Sequence, residues 1–260
     1  MSTINTDLTA ELKKYGNINF NACYNCGNCT AVCSLSTEDD SFPREMVRFS
    51  VVGLKNEIKS SLKPWMCYYC GECSTYCPQT ADPGELMQTL RRWLTAKYDW
   101  TGLSGLLYRS LPFTIITFFL AVVAVIGFSF YENFNVEKIM HFGHLFEIFA
   151  IAGVFSIIIL PNVIRMWYYT VLKSGTKVSI TIYIKEIWEL IVHMFTQKRS
   201  LGCDDNQFRW FEHFILVIGY LSLLFTTVVL DWFGTSSIIV NVFGYVLSTI
   251  IFIVTIDFVS

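Results

Sequence analysis

Cys23-Tyr-Asn-Cys26-Gly-Asn-Cys29-Thr-Ala-Val-Cys33 and Cys67-Tyr-Tyr-Cys70-Gly-Glu-Cys73-Ser-Thr-Tyr-Cys77-Pro78 share one spacing, C-x2-C-x2-C-x3-C. Eight of the nine cysteines lie in these two runs, and only Cys203 lies outside them. Three thiolates at intervals of three can wrap one iron–sulfur cube, while the fourth is carried off on the following helix to the other cube. The spacing therefore assigns Cys23, Cys26, Cys29 and Cys77 to one [4Fe–4S] cluster, and Cys67, Cys70, Cys73 and Cys33 to a second. Structural zinc pairs two knuckles of two ligands each, so the third cysteine of each run would be surplus. A reactive dithiol needs only a single C-x-x-C. Gly27 and Gly71 occupy the same place in both runs, where positive φ and close approach of backbone to cluster sulfur are expected.

The neighbouring segments read as helix. Ser41 and Pro43 signal a start, and Met46, Val47, Val51, Leu54 and Ile58 follow as an apolar stripe. After the second run, Asp82-Pro83-Gly84-Glu85 supplies an N-cap, a proline at the first helical position and a glutamate three residues past the cap. A helix from Pro83 to about Lys97 is expected. Two cubes joined by helices rather than by short β-hairpins predict an α-helical ferredoxin domain over residues 1–105, in an all-α chain.

Beyond that domain the composition changes. The 260 residues are 53% hydrophobic and 15% charged, against roughly 25% charged for an ordinary soluble domain. Residues 1–109 hold 11 Lys+Arg and 11 Asp+Glu, as a soluble domain would. Leu111 to Tyr131 then runs 21 residues without a charge, which at about 1.5 Å per residue spans roughly the 30 Å of a bilayer core. Further uncharged runs of 17, 18 and 25 residues cover Ile148–Ile164, His213–Leu230 and Trp232–Ile256. Four membrane spans are expected near 111–131, 146–164, 213–230 and 236–257, within a transmembrane domain over 110–260.

Charge sets the orientation. Tyr131 to Glu147 holds one basic residue, Lys138, whereas Arg165 to Glu212 holds seven, and Asp231–Thr235 holds none. The positive-inside rule places the N-terminal domain and the 165–212 segment in the cytoplasm of a multi-pass inner-membrane protein. Met1-Ser-Thr-Ile-Asn-Thr-Asp shows neither a basic start nor an apolar stretch, so no signal peptide is read there. A reducing compartment argues against a disulfide framework and leaves Cys203 as a free thiol. A net charge of −2 excludes a dominant nucleic-acid-binding surface. Within 165–212, Ile180, Ile184, Ile187, Ile191 and Met194 form one apolar helical face, with Lys185, Glu186, Glu189 and His193 opposite. This helix either lies on the membrane surface or packs on the iron–sulfur domain.

Ser41-Phe-Pro-Arg-Glu-Met-Val-Arg-Phe, Val52-Gly53-Leu54, Trp65-Met-Cys67-Tyr-Tyr-Cys70 and Cys77-Pro78-Gln79 resemble the C-type iron–sulfur subunits of heterodisulfide reductases. The membrane half, with Arg209-Trp-Phe-Glu-His213 opening a span, resembles their E-type cytochrome b-like subunits. A chain joining both is similar to the C subunits of quinone-interacting membrane-bound oxidoreductase complexes. The resemblance is strong over 20–95 and loose beyond 110, and Ser34 departs from it by standing where the second run has Pro78. It implies a membrane electron-transfer subunit, not acting alone, between membrane quinone and a cytoplasmic flavoprotein or iron–sulfur partner. It also implies b haem in the membrane part, with more spans than the four read here.

The candidate haem ligands are His144 and His213. By the expected topology His144 lies near the outer start of the second span and His213 at the inner start of the third. They would serve separate haems, since bis-histidine ligation needs both imidazoles at one depth. His141 and His144 share one helix and cannot straddle a haem. His193 sits on a polar face. Arg209, Glu212 and His213 are the cytoplasmic-side candidates for a quinone site. A second function class stays open: a membrane-tethered ferredoxin or redox sensor without quinone chemistry.

Overall fold

A computed structural model describes residues 3–16, 19–173, 179–197, 207–226 and 238–259, and within them every regular element is helical. Lys177, Lys198, Arg199, Cys203 and the turn Asp231–Thr235 lie outside the described residues, as do the end of the third expected span and the start of the fourth. The chain divides into two units, Met1–Lys177 and Val178–Ser260.

The core of the first unit is organised by its longest soluble helix. The helices preceding it are α1 (Leu8–Leu12), α2 (Asn28–Ala31), α3 (Arg44–Val52), α4 (Lys55–Ser60), α5 (Lys63–Met66) and α6 (Glu72–Thr75). Then comes α7 (Pro83–Tyr98), opened as its sequence predicts, with the Asp82 carboxylate accepting from the Glu85 N–H at 3.3 Å. Leu86, Met87, Leu90, Trp93 and Leu94 form one helical stripe on α7 and are fully buried. They pack with Leu8, Leu12, Phe20, Met46, Val47 and Ile58 into a single cluster.

The stripe expected as one helix from Met46 to Ile58 is broken in two. Gly53 ends α3 in the left-handed region at φ +85°. A Cβ there would lie 2.4 Å from the Asn5 carbonyl oxygen, and the Asn5 N–H donates back to the Gly53 carbonyl at 2.9 Å. Only glycine meets both demands. The break re-aims the chain: Ile58 stays buried through α4, while Val51 ends exposed.

Two long apolar helices follow a short α8 (Leu103–Arg109). In α9 (Leu111–Tyr131), Ser110 caps the Phe113 N–H at 3.3 Å and a proline sits in the first turn. Asn135 likewise caps Lys138 at the start of α10, and α10 runs unbroken over Val136–Leu172. It extends beyond the expected 146–164 at both ends and passes straight through Pro161. The reason lies in the turn before the proline. Val154–Ile159 is a π-helical segment, and such a widened turn absorbs a residue that has no N–H to give. In the α register Pro161 leaves the Ile157 carbonyl without its usual donor. The Trp100 indole N–H fills that role at 2.7 Å, and the Trp100 backbone N–H donates to Asn162 Oδ1 at 3.3 Å. Phe128 and Phe142 meet at 4.3 Å between ring centres, pairing α9 with α10.

The second unit contains α11 (Ile180–Thr196), α12 (Gln207–Leu224) and α13 (Ile238–Val259). Ile180, Ile184, Ile187, Ile191 and Met194 share one face of α11 and are exposed. α12 and α13 pack on each other, with Ile251 buried between them. By length and composition α9 and α10 are the two helices able to cross a membrane among the described residues; Trp210–Leu224 and Val242–Thr255 are shorter apolar helices.

Candidate metal centre

The two cysteine runs fold alike, residue for residue. Asn25 and Tyr69, each preceding a second cysteine, both take positive φ, at 66° and 58°. That twist turns their N–H groups onto the first sulfur of the run: Asn25 N–H to Cys23 Sγ and Tyr69 N–H to Cys67 Sγ, both at 3.4 Å. Gly27 at φ 95° and Gly71 at φ 88° then start the short helices α2 and α6, as the sequence predicts. Their carbonyls accept from Thr30 and Ser74, both at 2.9 Å. Cys29 and Cys73, on those helices, are both 8% exposed, whereas Cys26 and Cys70 are both exposed. Pairs of N–H groups aimed at sulfur stabilise thiolate charge and tune a bound cluster.

The runs also meet each other. α2 packs on α6. Burial pushes the Cys73 thiol up to about 12, and the sulfurs of Cys67, Cys70 and Cys33 push the same way. Burial raises Cys67 too, opposed by Arg91 and reinforced by Cys70 and Cys33. Cys33 is raised by burial and by Cys70. In the first run, burial, Cys23 and Cys26 raise Cys29. The exposed Tyr24 phenol is raised by its hydrogen bond to Cys26 and by the charges of Cys26, Cys77 and Cys23. The charge of Cys33 thus bears on Cys67 and Cys73 of the second run, and that of Cys77 on Tyr24 of the first. Among the described residues no three His, Cys, Asp or Glu side chains converge tightly enough to ligate one metal ion. A cube takes its thiolates at its corners, at wider spacing than a lone ion does. The eight free thiols and the N–H···S bonds fit such a cage.

Several supporting residues carry no motif signal. The Arg91 guanidinium, on α7, donates to the carbonyls of Pro64 at 2.7 Å and Trp65 at 3.2 Å, and also to that of Cys67. Arg44 donates to Asn25 Oδ1 at 2.8 Å. Ser74 bonds the Asp82 carboxylate and accepts from the Gly84 N–H at 3.0 Å. A Cβ on Gly84 would lie 2.9 Å from Ser74 Oγ and 3.7 Å from Cys73 Sγ, so glycine lets α7 approach the second run.

His144 lies exposed on α10 in the first unit. His213 lies exposed on α12 in the second, next to the buried Glu212. His141 is on α10 and His193 on α11. The Arg209 side chain is outside the description.

Residues 22–81 match the family model described as a 4Fe-4S dicluster domain. The matched stretch holds both cysteine runs and ends just before α7. No curated protein and no solved structure matches the chain. The chain therefore carries a ferredoxin-like 4Fe-4S domain in a helical protein, and that domain supports an iron–sulfur electron-transfer role.

Proposed function

We propose that this chain is a membrane-bound electron-transfer subunit, linking membrane quinone to a cytoplasmic flavoprotein or iron–sulfur partner through two [4Fe–4S] clusters. Two cysteine runs folded alike within the matched 4Fe-4S dicluster stretch are the observation that carries it. Cys23, Cys26, Cys29 and Cys77 hold one cluster, and Cys67, Cys70, Cys73 and Cys33 the other. When bound, the clusters supply one-electron carriers. The chain's own residues fix the two cages as neighbours, bury one thiolate of each run and direct N–H groups at the sulfurs. Exposed Cys26 and Cys70 leave one edge of each quartet open to a partner.

The domain boundary stays where the composition changes, with the iron–sulfur domain over 1–105 and a transmembrane domain over 110–260. Besides α9 and α10, the segments near 213–230 and 236–257 act as spans, giving a multi-pass inner-membrane protein with its iron–sulfur domain in the cytoplasm. In support, the first turn of α9 and the last turns of α10 both adjoin that domain, as an even number of crossings requires. The likeness to heterodisulfide reductase C- and E-type subunits favours quinone as the membrane reactant. Any b haem would take His144 and His213 as ligands of separate haems, each needing a second axial ligand from elsewhere.

Iron and sulfide analysis of the anaerobically purified full chain tests the reading, together with paramagnetic resonance after reduction. About eight irons and eight sulfides per chain, with cluster reduction by a water-insoluble quinol, are expected. Eight irons without any quinol response would favour the tethered-ferredoxin alternative, and bound zinc would overturn both.

A further inference from the structure

Where α10 meets the iron–sulfur domain, two lysines lie over one aromatic ring and an arginine stands near it. Lys59, from α4, sits 3.6 Å from the centre of the Tyr169 ring. Lys173, at the end of α10, lies 5.4 Å from the same centre. Arg165 stands one helical turn before Tyr169 and acts electrostatically on its phenol together with both lysines. Tyr98 of α7 stacks with the same ring at 6.1 Å between centres. None of the three cations makes an ion pair with a carboxylate among the described residues. Arg165 Nε is moreover buried without a hydrogen-bond partner. Three like charges held this close repel one another, and an unmet buried donor carries a desolvation cost. Both defects vanish if an anion sits among them.

The level of this cluster along α10 narrows the anion's chemistry. Trp167 and Tyr168 lie beside it on α10 and Trp100 is fastened a turn or two before it, all three with exposed aromatic rings, the pattern of a membrane–water interface. Arginine and lysine together suit phosphate oxygens, the first as a fork of N–H donors and the second as a point charge. We propose that Lys59, Arg165 and Lys173 form a binding site for a phosphate-bearing anion, supplied by the headgroup of an anionic phospholipid. The phosphate ties the iron–sulfur domain to the lipid surface at the point where Trp100 already holds the helix.

The proposal rests on the reading of α10 as a membrane span, which recovery of the wild-type chain in the membrane fraction tests separately. Full-length protein is reconstituted in nanodiscs of phosphatidylcholine alone and with phosphatidylglycerol added, and thermal unfolding is followed. Inorganic phosphate is titrated onto the same protein in detergent. Phosphatidylglycerol is expected to raise the wild-type midpoint by roughly 3–8 °C, and a Lys59→Gln/Lys173→Gln double variant should lose most of that rise. A Lys13→Gln/Lys14→Gln variant, altered at exposed lysines elsewhere, should keep it. Unchanged iron content shows that the variants fold. Equal responses in wild type and the first variant would overturn the site. A variant-sensitive response to inorganic phosphate without one to the lipid would overturn the headgroup as its source.

Discussion

Arg91 shows how one side chain can support a cluster without touching it through sulfur. Its guanidinium gathers the carbonyls of Pro64, Trp65 and Cys67, the segment that leads into the second cysteine run. That fork fixes where Cys67 starts its turn and leaves a positive charge close to its sulfur. Arg44, the arginine nearest the first run, bonds the Asn25 side chain instead of the backbone. Arg91→Gln should therefore lower the reduction potential of one cluster and leave the other unmoved. The expected shift is on the order of 50 mV, the size of about 1 kcal/mol for one electron at an effective dielectric near 20. Redox titration followed by paramagnetic resonance reads it, and Arg91→Lys should restore part of the potential by returning the charge without the fork. The thiol ladder could be read from sequence because its geometry is local, each sulfur only a few bonds from the next. Arg91 could not, because its three partners lie far from it along the chain.

Among the elements, the legible boundaries were those with chemistry at the boundary itself. Asp82, Pro83 and Glu85 announce α7, and the cap bond forms as read. Leu111–Tyr131 coincides with its uncharged run. The apolar spacing from Met46 to Ile58 misled, since α3 and α4 each keep part of one periodic stripe and periodicity is blind to a single left-handed residue between them. Gly53→Ala should cost about 1–3 kcal/mol, from positive φ and from the clash with Asn5. Chemical denaturation of the full chain should register this as a lowered midpoint, while Val51→Ala, at an exposed position, should change little. Pro161 lies inside the expected span 146–164, which already ran through it. Proline reads as the end of a helix, but a π-helical turn and an indole from a distant segment together carry α10 past it.

For the whole molecule, the proposed crossed assignment makes neither run self-sufficient. Cys33→Ala removes a thiol from the first run, yet the cluster expected to suffer is that of Cys67, Cys70 and Cys73. Iron content should fall by up to about four per chain, and the resonance that disappears should be the one shifted by Arg91→Gln. Loss of the other signal would refute the crossed assignment. Composition made the partition into a balanced N-terminal stretch and an apolar remainder visible from the outset. The tie between the two was invisible, because it is made by Trp100, Tyr98 and Lys59 reaching residues more than fifty positions away.

The indole seated on the Ile157 carbonyl has a mechanical consequence. A proline-bearing helix is ordinarily a place to bend, but here the bending point is also the fastening point. If α10 spans the membrane as proposed, this hydrogen bond, with the Trp100–Asn162 and Tyr98–Tyr169 contacts, sets the height and tilt of the strut, and electron carriers mounted on this head would keep a constant stand-off from whatever they serve below.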